Sequence, residues 1–305
     1  MRRPPAAQPL PLVPRWPLVI VVLLVLLGVG TLGLRWYAGR RAARALIAPA
    51  RADSTTPQSL GVPYADLQIP SGDHTIHAWW VRAARPDTTH TPAAAAAAAI
   101  APLAAPAVLL FHGNGTSLAQ QAGLQQVLYR AGISSLAFDY SGFGTSGGTA
   151  SPEALRRDAR AAFGVFTDSA RSASRRVLLG TSLGAAVLLD DITDLEAGSD
   201  GVVLVGAFTS ARDLAVGRGR VPQQLAWLMP DLYDNVTAIR HLTRPVLIVA
   251  SVQDSVFPIT GADRLYAAAS EPKRLVKLEH TGHDAYLATD ESWRPVLAFI
   301  KQGPE

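Results

Sequence analysis

The chain contains no cysteine. That excludes disulfides, thiolate metal sites and a cysteine nucleophile together, and it leaves the redox compartment open. Charge is also scarce, at 17% of residues against 49% hydrophobic, so extended disorder of the whole chain is excluded. Acidic residues are absent from the first 51 positions, which carry eight arginines. That segment is +8, so the formal net charge of +4 leaves the remainder at −4. The basic character therefore belongs to one end. A duplex-binding surface needs clustered cations on the folded part, and nucleic acid is not an expected partner. The 305 residues allow about two domains at roughly 150 residues each.

What is present begins with a long apolar run. Residues 16–34 carry no charge, with Trp16 at one end and Trp36 and Tyr37 at the other. At about 1.5 Å per residue this length crosses a hydrocarbon core of roughly 30 Å, and aromatic rings suit the headgroup region. A core helix would have a polar face. A cleaved signal peptide would have a shorter apolar run and a small-residue cleavage site, whereas Arg35 and Arg40–Arg44 intrude here. The expectation is a basic tail over 1–15, an uncleaved single-pass anchor over 16–37 and a linker over 38–60. Arg2, Arg3, Arg15 and the terminal amine balance Arg35, Arg40, Arg41 and Arg44, so the positive-inside rule assigns no side.

Residues 61–305 read as one domain. Two strands are expected at 62–69 and 75–81, around a turn. The stretch 84–106 holds seven alanines flanked by prolines, and is expected as a low-complexity insertion rather than a helix. Apolar runs at 107–112, 133–140, 177–180, 202–206, 246–251 and 275–278 then alternate with helical patterns at 118–131, from 152 onward, and at 183–192, 259–269 and 291–300. Strand alternating with helix implies a mostly parallel sheet covered on both faces. The stretch 209–242, with Trp227, Met229, Pro230 and Tyr233, breaks the rhythm and is a candidate cap.

Five loops bear on the chemistry. Gly180-Thr181-Ser182-Leu183-Gly184 matches Gly-x-Ser-x-Gly between a strand and a helix, the sharp turn that exposes a nucleophilic serine. The plain alternative is a chance match. Phe111-His112-Gly113-Asn114-Gly115 ends an earlier strand, where an N–H at Asn114, paired with that of Leu183, suits a developing oxyanion. Residues 138–148 form a second glycine-rich turn that lacks the Lys-Ser/Thr ending of a phosphate loop, and Asp139 is expected to fix that turn. Asp254 follows one strand and His283 another, both at the edge where open α/β sheets build their sites. His280 is the rival base, and Asp263 and Asp284 are the rival acids. His280 and His283 have no evident third partner for zinc.

In this order and spacing, FHGNG, FDYSGFGTSGG, GTSLG, QDSVFP and TGHD resemble the α/β-hydrolase superfamily, particularly its small-cap, often membrane-anchored branch of depalmitoylase-like and serine aminopeptidase/esterase-like relatives. The resemblance spans roughly residues 60–302. It implies an α/β-hydrolase fold with a small cap behind one transmembrane helix. It also implies Ser182 as nucleophile, His283 as base and Asp254 as its partner, with Tyr140 lining the site. Trp227 in the cap is a candidate for the acyl-binding surface. Two departures stand out: Thr181 where relatives often have Arg or His, and Asp284 where they often have Asn or Thr. An acid beside His283 would raise its pKa. The expected function is membrane-anchored hydrolysis of a small or lipid-like acyl ester or thioester, with no cofactor and no metal. The alternatives are a non-catalytic binding or scaffold protein of the same fold, and an amide hydrolase or acyltransferase using the same triad.

Overall fold

A computed structural model describes residues 16–51, 54–84, 104–283 and 286–304. The basic tail, nearly all of the alanine-rich stretch, and Asp284 lie outside the described residues. The chain opens with helix α1, Trp16–Leu46. An edge hairpin follows, β1 (Ala65–Ser71) and β2 (His74–Val81). Then come β3 (Ala107–Phe111), α2 (Leu118–Arg130), β4 (Ser134–Phe138), α3 (Pro152–Ser169), β5 (Arg176–Thr181) and α4 (Leu183–Asp190). The second half contains α5 (Ile192–Leu195), β6 (Gly201–Val205), α6 (Ala211–Gly217), α7 (Asn235–Ala238), β7 (Val246–Ser251), α8 (Ile259–Ala268), β8 (Lys273–Leu278) and α9 (Asp290–Gln302).

The eight strands form one sheet in the order β1-β2-β4-β3-β5-β6-β7-β8. β1–β2 and β2–β4 are antiparallel, and every later pair is parallel. Pro70 is tolerated because β1 is an edge strand and has a ladder partner on one side only. The central strands β3 to β7 are buried at every position of β3, β4, β6 and β7, and their side chains alternate between two cores. Leu109, Phe111, Leu178, Leu204 and Ile248 face one side, and Val108, Leu110, Leu179, Val203 and Val249 the other. Helices α3, α4 and α8 cover the first face; α2 and α9 cover the second. Period-two alternation on continuous apolar runs is what a doubly covered sheet requires.

Local chemistry sets the helix ends. Ser151 accepts the Ala154 N–H, and Pro152 stands at the first turn of α3, whose Leu155, Ala159, Ala162 and Phe166 are buried. α4 is buried at every position from Leu183 to Leu189, so it has no polar face to lose. It runs from the sheet's centre, directly behind Ser182.

The segment expected as a linker is built into the fold. α1 does not stop at residue 37. Its later part turns Arg35, Ala38, Gly39, Ala42, Ala43 and Leu46 inward as a half-buried stripe at helical spacing. Beyond it the chain is bonded to the two glycine-rich loops. The Gly115 N–H donates to the Ala48 carbonyl (3.1 Å) and the Gly144 N–H to the Ala50 carbonyl (2.9 Å). Farther on, the Gln126 side chain donates to the Leu60 carbonyl at 2.6 Å.

Candidate active site

Ser182 sits where β5 passes into α4, with φ 52° and ψ −114°. A non-glycine residue in that region is strained by about 1–3 kcal/mol and needs its surroundings to hold it. Its N–H is held by the Val205 carbonyl at 2.9 Å. The glycines on either side are required by close approach. A Cβ on Gly180 would stand 2.6 Å from Ala185 Cα, and one on Gly184 would collide with the Phe111 carbonyl oxygen. The hydroxyl is thereby presented at the carboxyl edge of the sheet, and the Leu183 N–H, in the first turn of α4, has no intrahelical acceptor.

Two further strand ends complete the cluster. Asp254 follows β7, and His283 follows β8, the parallel neighbour of β7. His283 Nε2 lies 3.3 Å from Ser182 Oγ, and its Nδ1 lies 2.8 Å from Asp254 Oδ2. The loop carrying His283 is pinned from below, where the Ser251 hydroxyl donates to the Thr281 carbonyl. The Phe257 ring meets the imidazole edge-on with centroids 4.6 Å apart. The rival groups stand elsewhere. His280 is exposed, and Asp263, on α8, pairs with Lys277 at 2.8 Å.

Asp254 is almost fully buried. Burial pushes its carboxyl up, but hydrogen bonds from His283, the Tyr286 hydroxyl (2.6 Å) and the Phe257 N–H (2.8 Å) outweigh it and hold the group below its ordinary value. The Val256 N–H adds a further bond at 2.7 Å. The Tyr286 phenol is itself pushed well up by burial and by the Asp254 carboxylate, so it donates rather than ionises. The motif reading missed Tyr286, which lies beyond the TGHD motif in a stretch without a sequence signature.

Asn114 lines the same cavity as Ser182, His283 and Leu183, about 620 Å³ in volume. Gly113 packs beside the nucleophile; a Cβ there would lie 3.5 Å from Ser182 Cβ. The Asn114 side-chain oxygen accepts the Ala48 N–H at 2.5 Å, and Ala45 and Leu46 at the end of α1 form part of the cavity wall. Asp139 accepts the Leu118 N–H at 2.9 Å and stands 3.4 Å from His112 Nε2, tying the glycine-rich loop to the start of α2.

Two expected lining residues lie elsewhere. Tyr140 is fully buried behind the site, its hydroxyl donating to the His112 carbonyl at 3.3 Å. Burial pushes its phenol well above the ordinary value, and it does not border the cavity. Trp227 does not border it either. The tip of the cap is a short 3-10 turn over Gln223–Leu228 that leans on α1, where the Trp227 carbonyl accepts from Arg35 and the ring is left 56% exposed. Among the described residues no three His, Asp or Glu side chains gather as a metal site.

The architecture of the sheet and its helices agrees with that of solved structures. In the solved structure of an esterase from Pyrococcus furiosus, 18% identical, the same architecture covers 85% of this chain and 98% of the esterase with a TM-score of 0.64. The family model described as serine aminopeptidase, S33, matches residues 104–238. The chain has the α/β-hydrolase fold. The matched span includes Ser182 and ends before Asp254 and His283. Protein Rv2307c of Mycobacterium tuberculosis is 36% identical over 181 residues, 59% of this chain and 63% of that one, so this chain spans under two thirds of that relative's length. The membrane protein YNL320W of Saccharomyces cerevisiae is 24% identical over 257 residues, 82% of this chain and 84% of the yeast chain.

Proposed function

We propose that this α/β-hydrolase cleaves an acyl ester or thioester by way of a Ser182 acyl-enzyme. The observation that carries the reading is the continuous contact from Ser182 Oγ through His283 to a buried, hydrogen-bonded Asp254. Ser182 Oγ adds to the acyl carbonyl carbon while His283 Nε2 takes its proton. Asp254 fixes the imidazole tautomer and stabilises its cationic form. The Leu183 N–H and an N–H of the Asn114 loop hold the tetrahedral oxyanion. The C–O or C–S bond then breaks, and His283 returns the proton to the departing alcohol or thiol. Water repeats the sequence on the acyl-enzyme, releasing the acid and restoring Ser182.

An aminopeptidase reading follows from the matched family's description. It would need a carboxylate beside the cavity to hold a free α-ammonium group. Among the described residues lining the cavity there is no Asp or Glu, and the ionised side chain at its rim is Arg218. That favours an ester or thioester over an aminoacyl amide. We also assign α1 as a membrane anchor. Its apolar window has a mean hydropathy of 2.7 with none of it buried, so it is not a core helix.

The test is labelling of the full chain with a fluorophosphonate probe, together with turnover of p-nitrophenyl acyl esters. Both are expected in the wild type and both are lost in Ser182→Ala. Labelling that survives this substitution, or turnover confined to aminoacyl amides, overturns the reading.

A further inference from the structure

Beside the Ser182 cavity lies a second one of about 530 Å³, sharing Ala45, Leu46, Leu214 and Arg218 with it. The shared residues make the two neighbours. The wall of the second cavity is contributed by the end of α1 and by the cap. Its floor is apolar, with Leu46, Leu214, Val221 and Met229, and around it stand four arginines: Arg41 and Arg44 from α1, Arg218 and Arg220 from the cap. All four are exposed. Neighbouring cations are neutralised, Arg212 of the cap by Asp231 at 2.9 Å and Arg264 of α8 by Asp213 at 2.6 Å. Among the described residues no carboxylate forms an ion pair with Arg41, Arg44, Arg218 or Arg220. Four unpaired guanidinium groups from two separate elements around one apolar cleft are costly through mutual repulsion unless an anion joins them.

The position of this cleft relative to a bilayer follows from α1. The uncharged span ends at Arg35, whose guanidinium donates to the Trp227 carbonyl. The cap tip is therefore level with the end of the apolar span. Outside α1, the large apolar side chains left exposed among the described residues are Leu225, Trp227 and Val252, and two of these three are on that tip. Aromatic and aliphatic groups at this depth suit the interface. Arg41 and Arg44 lie six and nine residues beyond Arg35, about 9–14 Å farther along the helix axis, at the outer edge of the headgroup layer and just beyond it. Contact between helix and cap is close: a Cβ on Gly39 would stand 2.7 Å from Pro230 Cγ.

We infer that the substrate is an anionic membrane lipid whose phosphate-bearing headgroup is gathered by Arg41, Arg44, Arg218 and Arg220 at the mouth between α1 and the cap, with its acyl ester passed along the apolar floor to Ser182. Arginine suits the task because its planar fork binds phosphate oxygens in pairs. The inference deepens the hydrolase reading and depends on it for the fate of the lipid, but not for its binding.

The experiment uses the full-length Ser182→Ala protein in phosphatidylcholine vesicles, with a photoactivatable monoacylglycerol phosphate and the matching uncharged monoacylglycerol. The phosphate-bearing probe is expected to crosslink about tenfold more, since each cation near a membrane surface adds appreciable attraction for an anion. Substituting all four arginines by Gln brings the two probes level, and substituting them by Lys retains most of the preference. Millimolar inorganic phosphate leaves labelling intact, because the acyl chain supplies part of the binding. Equal labelling of the two probes, a preference unchanged in the Gln variant, or a Lys variant as weak as the Gln variant overturns the inference. Displacement by inorganic phosphate makes the site one for free phosphate and overturns the lipid assignment. Fluorophosphonate labelling of the wild type reports separately on the hydrolase reading, so the two fail independently.

Discussion

Asp254 and Trp227 sit at opposite extremes of this molecule. The carboxylate is nearly buried and takes hydrogen bonds from two side chains and two backbone N–H groups. The indole is more than half exposed, and its segment meets the rest of the chain through a carbonyl bonded to α1. The sheet edge is positioned by parallel strands whose register is fixed by alternating burial, so the loop after each strand starts from a fixed place. The cap has only short helices, and its placement depends on what leans against it. Precision at the chemical centre comes from the sheet, and access comes from a softer contact between two surface elements.

The largest test of that contrast is at the centre. Ser182→Ala is expected to cost roughly four to six orders of magnitude in ester turnover with the fold intact, and His283→Ala nearly as much. His280→Ala, altering an exposed side chain outside the cluster, is expected to stay near wild type. Steady-state kinetics with circular dichroism check all three; a dead His280→Ala enzyme with an active His283→Ala enzyme reverses the assignment.

Gly184→Ala attacks the scaffold rather than the chemistry. The added Cβ meets the Phe111 carbonyl, a backbone atom that cannot rotate away. A loss of about 1–3 kcal/mol is expected, read as a fall in unfolding temperature that accompanies any fall in rate. An unchanged unfolding temperature breaks the claim that the sheet sets the site.

The softer region is sharpened by Gly39→Leu. The new side chain displaces Pro230 and with it the cap. Up to roughly tenfold loss is expected on a vesicle-borne acyl ester, with a smaller effect on a short soluble ester. Equal losses on both substrates place the defect at Ser182 instead.

The last test is Tyr286→Phe, with an expected cost of about 1–2 kcal/mol, because the hydroxyl donates to Asp254 and accepts the Ser251 N–H at 3.1 Å. The Asp254 carboxyl is held below its ordinary value of 3.8. Its stabilising contribution is therefore complete above that value and is lost as pH falls through the lower folded-state value. Removing the phenol raises the folded-state value, so acid loss is smaller and is complete at a higher pH. Unfolding followed from neutral pH down to about 2 checks the sign.

Much of the sheet edge is legible in short motifs because its geometry is local. Gly180 and Gly184 flank a turn that tolerates no larger residue, and apolar runs bounded by turns give the strands. Asn114 is legible as a strand-end residue, but not its bond to Ala48, which joins positions 66 apart. Tyr286 and Trp227 fail in opposite directions. The first has a role without a motif. The second sits in an apolar cluster that looks like a lining yet faces outward, since the turn over Gln223–Leu228 folds toward α1. The segment 38–60 reads as polar spacing, and small residues at helical intervals inside it are what let α1 pack on the cap.

The sequence by itself determined the alternation of strand and helix, the long apolar N-terminal helix, and the loops on which Ser182, Asp254 and His283 stand, because burial periodicity and turn chemistry act over a few residues. Only the tertiary structure decided that Tyr286 completes the shell of Asp254 and that the end of α1 walls the cavity. It alone brought the arginines of helix and cap around one cleft. Each of those depends on surfaces distant in the chain meeting through shape and charge, and no short-range pattern encodes where they meet.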